Sequence, residues 1–423
     1  MTSNIFRFRM LFLLVAGALS WLSANSQTGS TSPYSRYGIG DILSEGFSHQ
    51  AGMGGLGAAI ASPFNINFLN PASYIADSII VFEMGARGEV RQLEKNGATT
   101  TLNSASFSYL SLAFPIIKGK VGVAFGVLPV SSVGYDIVVT ENNIPDIGQI
   151  RYKYEGDGGF NKFFLGTGVK IFKNLNAGVN VSYLFGTIDN VKSVEFPSGT
   201  NYFNSRYINA VTANGFNFDY GLMYEKPLKK EMTFRAGLTG SISTSVNSTN
   251  SLYYYNYIIS PFGGEIVKDS VFNETEIKGT VKLPQFWRVG ISIEKNNKWM
   301  AGADFSYHNW EEYKSFDSED TLQNSYSASV GAQRMTNKFD YRMGFRYSSS
   351  FLDLNETRID DYGITFGIAV KKLFPKRPPS AINIGIELGQ RGTLENDLIK
   401  EQYVKFHLGF TLTDIWFIQP KYD

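Results

Sequence analysis

Hydrophobic and polar residues alternate strictly along much of this chain. In "YVKFHLGFTL", Val404, Phe406, Leu408, Phe410 and Leu412 fall on one face, and Lys405, His407, Gly409 and Thr411 on the other. "FDYRMGFRYS" sets Tyr341, Met343, Phe345 and Tyr347 against Asp340, Arg342, Gly344 and Arg346. "FWRVGISIE" and "AINIGIELG" repeat the pattern, with Arg288 and Glu387 among their polar residues. A period of two marks a strand with one apolar and one polar face. Many of these segments run well past the about 5 to 6 residues of an ordinary globular strand. Their polar faces carry full charges and glycines, as a wet or filled lumen would. Aromatic residues gather near segment ends, as in "WMAGADFSYHNWEEY" and "DIWF", where a membrane interface favours amphipathic rings. In lipid a sheet must close on itself, because an open edge leaves backbone groups unpaired. The pattern predicts an all-β, up-and-down antiparallel transmembrane barrel.

About fourteen segments are expected, starting near Ser78, Ser104, Val121, Tyr152, Asn176, Val211, Met232, Gly279, Trp299, Gln323, Phe339, Asp361, Ser380 and Gln402. Short connections ("IIKGK", "FKNLN", "KNNK", "MTNK") alternate with long stretches ("VRQLEKNGATTTLN", "TENNIPDIGQIR", "TNSLYYYNYIISPFGGEIVKDSVFNETE"). Short turns on one side and long loops on the other, with an even count, place both chain ends on the short-turn side, the periplasm.

Residues 27–77 do not alternate. They contain Gly52-Met53-Gly54-Gly55-Leu56-Gly57, a formal G-x-G-x-x-G, with Asp77 twenty residues beyond Gly57. A dinucleotide site needs a strand before its glycines and an amphipathic helix after them. Here "SEGFSHQA" precedes and "AAIASPFNINFLNPAS" follows, broken by Pro63. The glycines therefore read as turns in a compact segment filling a narrow lumen, and no cofactor is expected.

The first residues explain where such a barrel would be built. Arg7 and Arg9 precede the apolar run Met10–Leu22, and Ala24-Asn25-Ser26 offers a small-residue cleavage site. This predicts a signal peptide over 1–26, a plug over 27–77 and a barrel over 78–423, exported to the outer membrane of a Gram-negative cell. No cysteine occurs in 423 residues, which excludes disulfides and thiolate chemistry. A formal net charge of +1 gives no electrostatic case for nucleic acid. Aromatics make up 15% of the chain and charged residues 18%, as a lipid-facing barrel requires.

The motifs of the N-terminal segment carry a resemblance. Met53-Gly54-Gly55-Leu56-Gly57 followed by Asn70-Pro71-Ala72, with Leu283-Pro284 entering a strand, is similar to the FadL/TodX-type outer-membrane transporters of fatty acids and aromatic hydrocarbons. "SPYSRYGIGD" is similar to the start of many barrel proteins of the Bacteroidota. The resemblance implies a fourteen-stranded barrel with an N-terminal hatch, whose motif residues are Gly52, Gly54, Gly55, Gly57, Asn70, Pro71 and Ala72. It also implies passage of a hydrophobic small molecule through a lateral gap at a kink in the third strand. That strand reads "KVGVAFGVLPVSSVGYD", and Pro129, lacking an N–H, is the candidate kink. One departure is the C-terminus, which runs past Trp416-Phe417 to "IQPKYD".

Two further groups are singled out. Tyr253, Tyr254, Tyr255, Tyr257 and Phe262, in a predicted loop over 251–264, are candidate contacts for an apolar ligand or a protein partner. Arg235, Arg288, Asp304, Arg342, Arg346, Glu387, Lys405 and His407 are assigned to the lumen, as a charge network expected to engage the hatch. A basic residue in lipid at midplane would cost roughly 2 to 4 kcal/mol. His49, His308 and His407 have no metal-ligand spacing, and no Ser/His pair with an orienting group stands out. No metal site and no enzymatic activity are expected. Two function classes stay open: a channel for hydrophobic small molecules, and a non-transporting accessory or scaffold subunit of an outer-membrane complex for secretion or assembly. The partners implied are outer-membrane lipids and either an apolar ligand or such a complex.

Overall fold

A computed structural model describes residues 30–43, 46–145, 147–197, 201–260, 262–296, 298–316, 322–371, 373 and 380–414. The predicted leader over 1–26 and the C-terminal "IWFIQPKYD" lie outside the described residues.

One antiparallel sheet closes on itself. A two-residue strand, β1 (Asp41–Ile42), and a one-turn helix, α1 (Ser48–Ala51), precede the wall. The wall begins with β2 (Ile80–Lys95) and β3 (Ala98–Ile117), then β4 (Val121–Pro129) and β5 (Ser131–Ile144), which are two pieces of one strand. It continues through β6 (Gly148–Phe172), β7 (Leu175–Glu195), β8 (Asn204–Pro227), the broken strand β9 (Met232–Ser241) and β10 (Thr244–Ile259), and the broken strand β11 (Glu265–Leu283) and β12 (Phe286–Lys295). Next come β13 (Trp299–His308), the two-residue β14 (Lys314–Ser315), β15 (Ser325–Met335), β16 (Phe339–Leu354), β17 (Thr357–Lys371), β18 (Ala381–Arg391) and β19 (Lys400–Asp414). The last strand pairs with β2 from Lys400↔Glu94 to Asp414↔Ile80, which seals the cylinder. The wall has fourteen strands, as the alternation predicts.

The pleat decides which residues meet lipid. Phe406, Ile384, Ile386, Phe366, Met343 and Ile291 are all exposed outward. Arg342 (5% exposed) beside Met343, Arg346 (8%) beside the outward Phe345, and Glu387 (1%) beside Ile386 are buried inside. The apolar outer face supplies the membrane anchorage, and the charged inner face stays out of lipid.

Several predicted long loops are strand. The stretch from Val90 to Asn103 is a hairpin of β2 and β3 closed by Asn96-Gly97, with φ of 51° and 80°, the two-residue turn that suits strand twist. The predicted loop over 251–264 is mostly β10, paired with β11 on one side and β8 on the other. Pattern reading fails there because β5–β8, β10 and β11 rise beyond the apolar belt. Both faces of a strand in water are free to be polar, so the alternation fades while the ladder continues.

Candidate functional site

Residues 46–77 cross the barrel interior with little regular structure, so their backbone groups need partners from the wall. Gly54 N–H donates to Thr365 Oγ1 at 2.9 Å. Asp304 Oδ2 accepts from both Gly57 N and Ala58 N, at 2.7 and 2.9 Å. Asn70 caps the 3₁₀ turn Pro71–Ala76: its Oδ1 accepts from Ala72 N at 3.0 Å, while its amide donates to Ala58 O and Leu222 O. Pro71 at the first helical position loses no hydrogen bond there. Gly54 and Gly55 turn the chain with φ of 69° and 77°, a region glycine enters without a steric cost.

The wall meets this segment with glycines of its own. Gly122, Gly168, Gly178 and Gly221 are register partners across β4, β6, β7 and β8. A Cβ on any of them would collide with Asn70, Pro71 or Tyr74. Gly237 and Gly290, paired across β9 and β12, lie against Ala58, and Gly331 and Gly344, paired across β15 and β16, lie against Met53. Gly52 itself sits against Gly367, where an added Cβ would stand 2.9 Å from the opposing Cα. A belt of inward glycines thus lets the segment lie on the wall's backbone. Sequence reading identified the glycines of the segment and missed this belt. Its signal was present, since each belongs to the polar face of an alternating strand.

The charged residues form separate clusters. Arg346 bonds Glu387 at 2.6 Å and Asp361 at 3.2 Å, and Tyr403 donates to both carboxylates. Lys405 is 3.8 Å from Glu387. Arg235 joins Glu225 and Glu294 at 2.7 and 2.5 Å, and Arg342 donates to Asn383 at 2.8 Å. These ties run from wall to wall. Of the predicted set, Asp304 makes the direct bonds to the segment's backbone. Arg288 lines the same lumen as Asp304 and His407.

The strongest ionic tie to the segment involves residues not singled out in sequence. Arg91 meets Glu401 and Glu89, each at 2.5 Å, and lies 3.8 Å from Asp41, which Arg391 reaches at 2.6 Å. Ser32 donates to Glu401 and Ser30 to Asp41. Burial opposes ionisation of Asp41, but Arg391 and Arg91 outweigh it and hold its carboxyl below the usual range. His49 is buried with neither ring nitrogen hydrogen-bonded, and burial followed by Arg342 lowers it to about 3, so it is neutral. Asp77 is pushed well above the usual range, first by burial and then by Glu83.

Toward the long-loop end, Tyr34, Ile39, Val133, Phe160, Ile188, Val246, Trp310, Phe351, Ile359 and Leu398 form one buried apolar cluster. Its members come from strands on opposite sides of the barrel, so the cluster spans the lumen. Below it is a cavity of about 350 Å³. Seven Arg and Lys and five Asp and Glu side chains reach its lining, beside Phe47, Phe68, Leu128 and Pro129.

Pro129 lies where the third wall strand changes partners. β3 and β4 pair from Ile117↔Val121 to Leu110↔Val127, and no register joins β3 to β5 among the described residues. β5 stays on β6, from Val133↔Gly158 to Ile144↔Gly148. The start of its freed edge is taken by the N-terminal segment: β1 pairs with Ser131 and Ser132, Leu43 N donates to Val130 O, and Gly134 N donates to Ser35 Oγ. Tyr253, Tyr254 and Tyr255 lie within β10, Tyr257 there is fully buried under Arg206, and Phe262 at the hairpin tip is 99% exposed. The aromatic group is therefore mostly strand, with Tyr254 exposed on it and Phe262 free at its turn, in place of a predicted loop.

Known proteins share this architecture. A family model described as BamG matches residues 8–423. The crystal structure of a Pseudomonas aeruginosa FadL homologue superposes with a TM-score of 0.60 at 12% identity, covering 89% of this chain and 99% of that one. The Ralstonia pickettii toluene transporter TbuX gives 0.57 at 15% identity over 88% and 99%, and the Pseudomonas putida toluene transporter TodX 0.53 at 14% over 87% and 97%. At these identities the likeness is one of fold. No curated protein matches the sequence.

Proposed function

The chain belongs to the BamG family, and from that premise we propose that it is a plugged outer-membrane barrel serving as an accessory or scaffold subunit of a larger membrane assembly. Residues 27–77 are its plug, following a cleaved leader at 1–26. The observation carrying this reading is the glycine belt, on which the plug rests backbone to backbone around most of the wall. A hatch that opened would give up these contacts together with the bonds to Asp304, Thr365 and Arg91's carboxylate partners. Among the described residues, the cavity below the apolar cluster is lined by charged as well as apolar side chains, which supports this reading over passage of a greasy solute. An apolar solute crossing that cavity would have to desolvate buried ions, a cost of several kcal/mol for each.

A second reading, passage of a hydrophobic compound, is favoured by one observation. The wall is interrupted beside Pro129, next to the cavity. Extraction of the native protein from outer membranes in mild detergent, with mass spectrometry of bound proteins and lipids, separates the two. Stoichiometric recovery with other outer-membrane proteins, and no ion conductance, is the expected result. Recovery as a monomer carrying fatty acid or hydrocarbon, with uptake lost on deletion of the gene, would overturn the accessory role.

A further inference from the structure

The wall break leaves two strand edges of unequal character. On the side away from β2, β3 has no strand partner between Ala98 and Tyr109, and no other backbone hydrogen bond leaves this stretch among the described residues. β11 likewise has an edge without a strand partner from Glu265 to Gly279, above the barrel. Exposed edges invite pairing with another chain, and folded proteins protect them with charge, proline or bulges. The β11 edge is protected in this way, with six charged residues between Glu265 and Lys278 and a positive φ at Glu276. The β3 edge carries neither charge nor proline, and its one bulge, at Ser108 opposite Gly85 and Ala86, lies at its lower end. Residues 98–109 read "ATTTLNSASFSY", with no charge and no proline. Its lower part, around Phe107, still belongs to the outward apolar face. Lipid cannot satisfy peptide groups at that level.

We propose that the β3 edge over residues 98–108 is a docking edge for an extended strand of a protein partner, added to the wall by β-augmentation. This rests on the accessory reading and says where the assembly attaches. Main-chain bonds would supply the affinity. The Thr and Ser side chains of "TTTLNSAS" favour an uncharged, β-branched partner segment, since a charged one would bury ions without counter-ions. The segment 41–43 already does the same to the start of β5, which shows that edges at this break accept short strands.

Proline replaced singly at Asn103, Ser104, Ala105 and Ser106 tests the idea in the full chain in its own membrane. Successive N–H groups of a strand point to opposite edges, so two of the four prolines remove only N–H groups facing the break. Those two are expected to keep a folded, heat-modifiable barrel and to lower recovery of the assembly about tenfold. The other two break the β2 ladder and destabilise the barrel. Exchange of the break-facing amides over 98–108 should be fast in the barrel refolded alone and slowed in the assembly, while the amides bonded to β2 are slow in both. Assembly recovered unchanged from all the folded proline variants, or break-facing amides over 98–108 unprotected within it, would overturn docking at β3 and leave the accessory role standing. Absence of any assembly around the unaltered chain would instead remove the accessory role and this inference with it.

Discussion

Gly168→Ala tests whether the plug is seated permanently on the wall. The added Cβ would stand 2.6 Å from the carbonyl oxygen of Pro71 and 3.3 Å from Tyr74 Cβ. Ordinary contact begins near 3.4 Å, so the Pro71 peptide must retreat by about 0.8 Å, the difference between 3.4 and 2.6 Å. Gly168 is held in register between Gly122 and Gly178, so the wall cannot yield without disturbing two ladders. Overpacking of this kind costs about 1 to 3 kcal/mol, and a value near 2 would raise the fraction of unseated plug about thirtyfold. The wall's own hydrogen bonds are untouched, so the barrel should stay folded while the plug loosens. The assay is single-channel conductance in planar bilayers, with heat-modified gel mobility as the folding control. The unaltered chain should be closed, and Gly168→Ala should show frequent openings. Gly88→Ala, whose new Cβ would find its nearest neighbour at 3.7 Å, should behave like the unaltered chain. Equal conductance and equal stability in Gly168→Ala and Gly88→Ala would refute the seated plug.

Asp304→Ala strands two buried N–H groups at Gly57 and Ala58, so the plug should lose about 2 to 4 kcal/mol, read as openings and faster proteolysis of residues 46–77. Asp304→Asn, which keeps an acceptor, should lose less. Arg91→Met leaves Glu401, 0% exposed, without its main partner; a loss of about 3 to 5 kcal/mol in denaturant unfolding is expected, with partial rescue by Glu401→Gln. Asp77 has its folded value raised, so the folded state keeps a proton that the unfolded chain releases above 3.8. Its contribution is therefore neutral below pH 3.8 and becomes a loss that grows as pH rises from 3.8 toward the raised folded value, above which it is constant. Asp77→Asn should melt at a higher temperature than the unaltered chain at pH 7, and the difference should vanish at about pH 3.

The wall was legible because its alternation is enforced twice, by lipid outside and by a filled lumen inside. Where one constraint ends, so does the signal. The hairpin Asn96-Gly97 carries a strong turn dipeptide, yet "VRQLEK" and "TTTLN" beside it show no apolar face because their outer sides lie beyond the apolar belt. Arg91 falls in that stretch, which is why the densest ionic cluster was missed, whereas Arg342 and Arg346, in strands with clear alternation, were assigned to the inner face and are buried. Pro129 was singled out as a candidate kink from its missing N–H, and the third wall strand changes partners there. The glycines of β6 and β7 that bend the wall at the same level, Gly158, Gly159 and Gly186 with φ of 104°, 144° and 156°, gave no distinct pattern of their own.

The polarity of the lumen follows from the plug's lack of regular structure. A helical or sheet-like plug would satisfy its own peptide groups and could present an apolar surface. Residues 52–70 form no helix or strand, so their N–H and C=O groups are bonded by side chains: Asp304, Thr365, Ser292, Asn67 and Asn70. Each such acceptor or donor must sit on the inner face of a wall strand or on the segment itself, which places polar groups wherever the segment's backbone meets the wall, between the apolar clusters. An opening plug would expose these groups to one another and to water, where they are readily solvated. An apolar cargo arriving in their place would leave them unpaired, at about 1 to 3 kcal/mol per group. The same bonds that hold the segment in place thus disfavour a greasy solute as its replacement, and the route to a partner that conflicts with none of them runs along the outside of the wall, at the unpaired edge of β3.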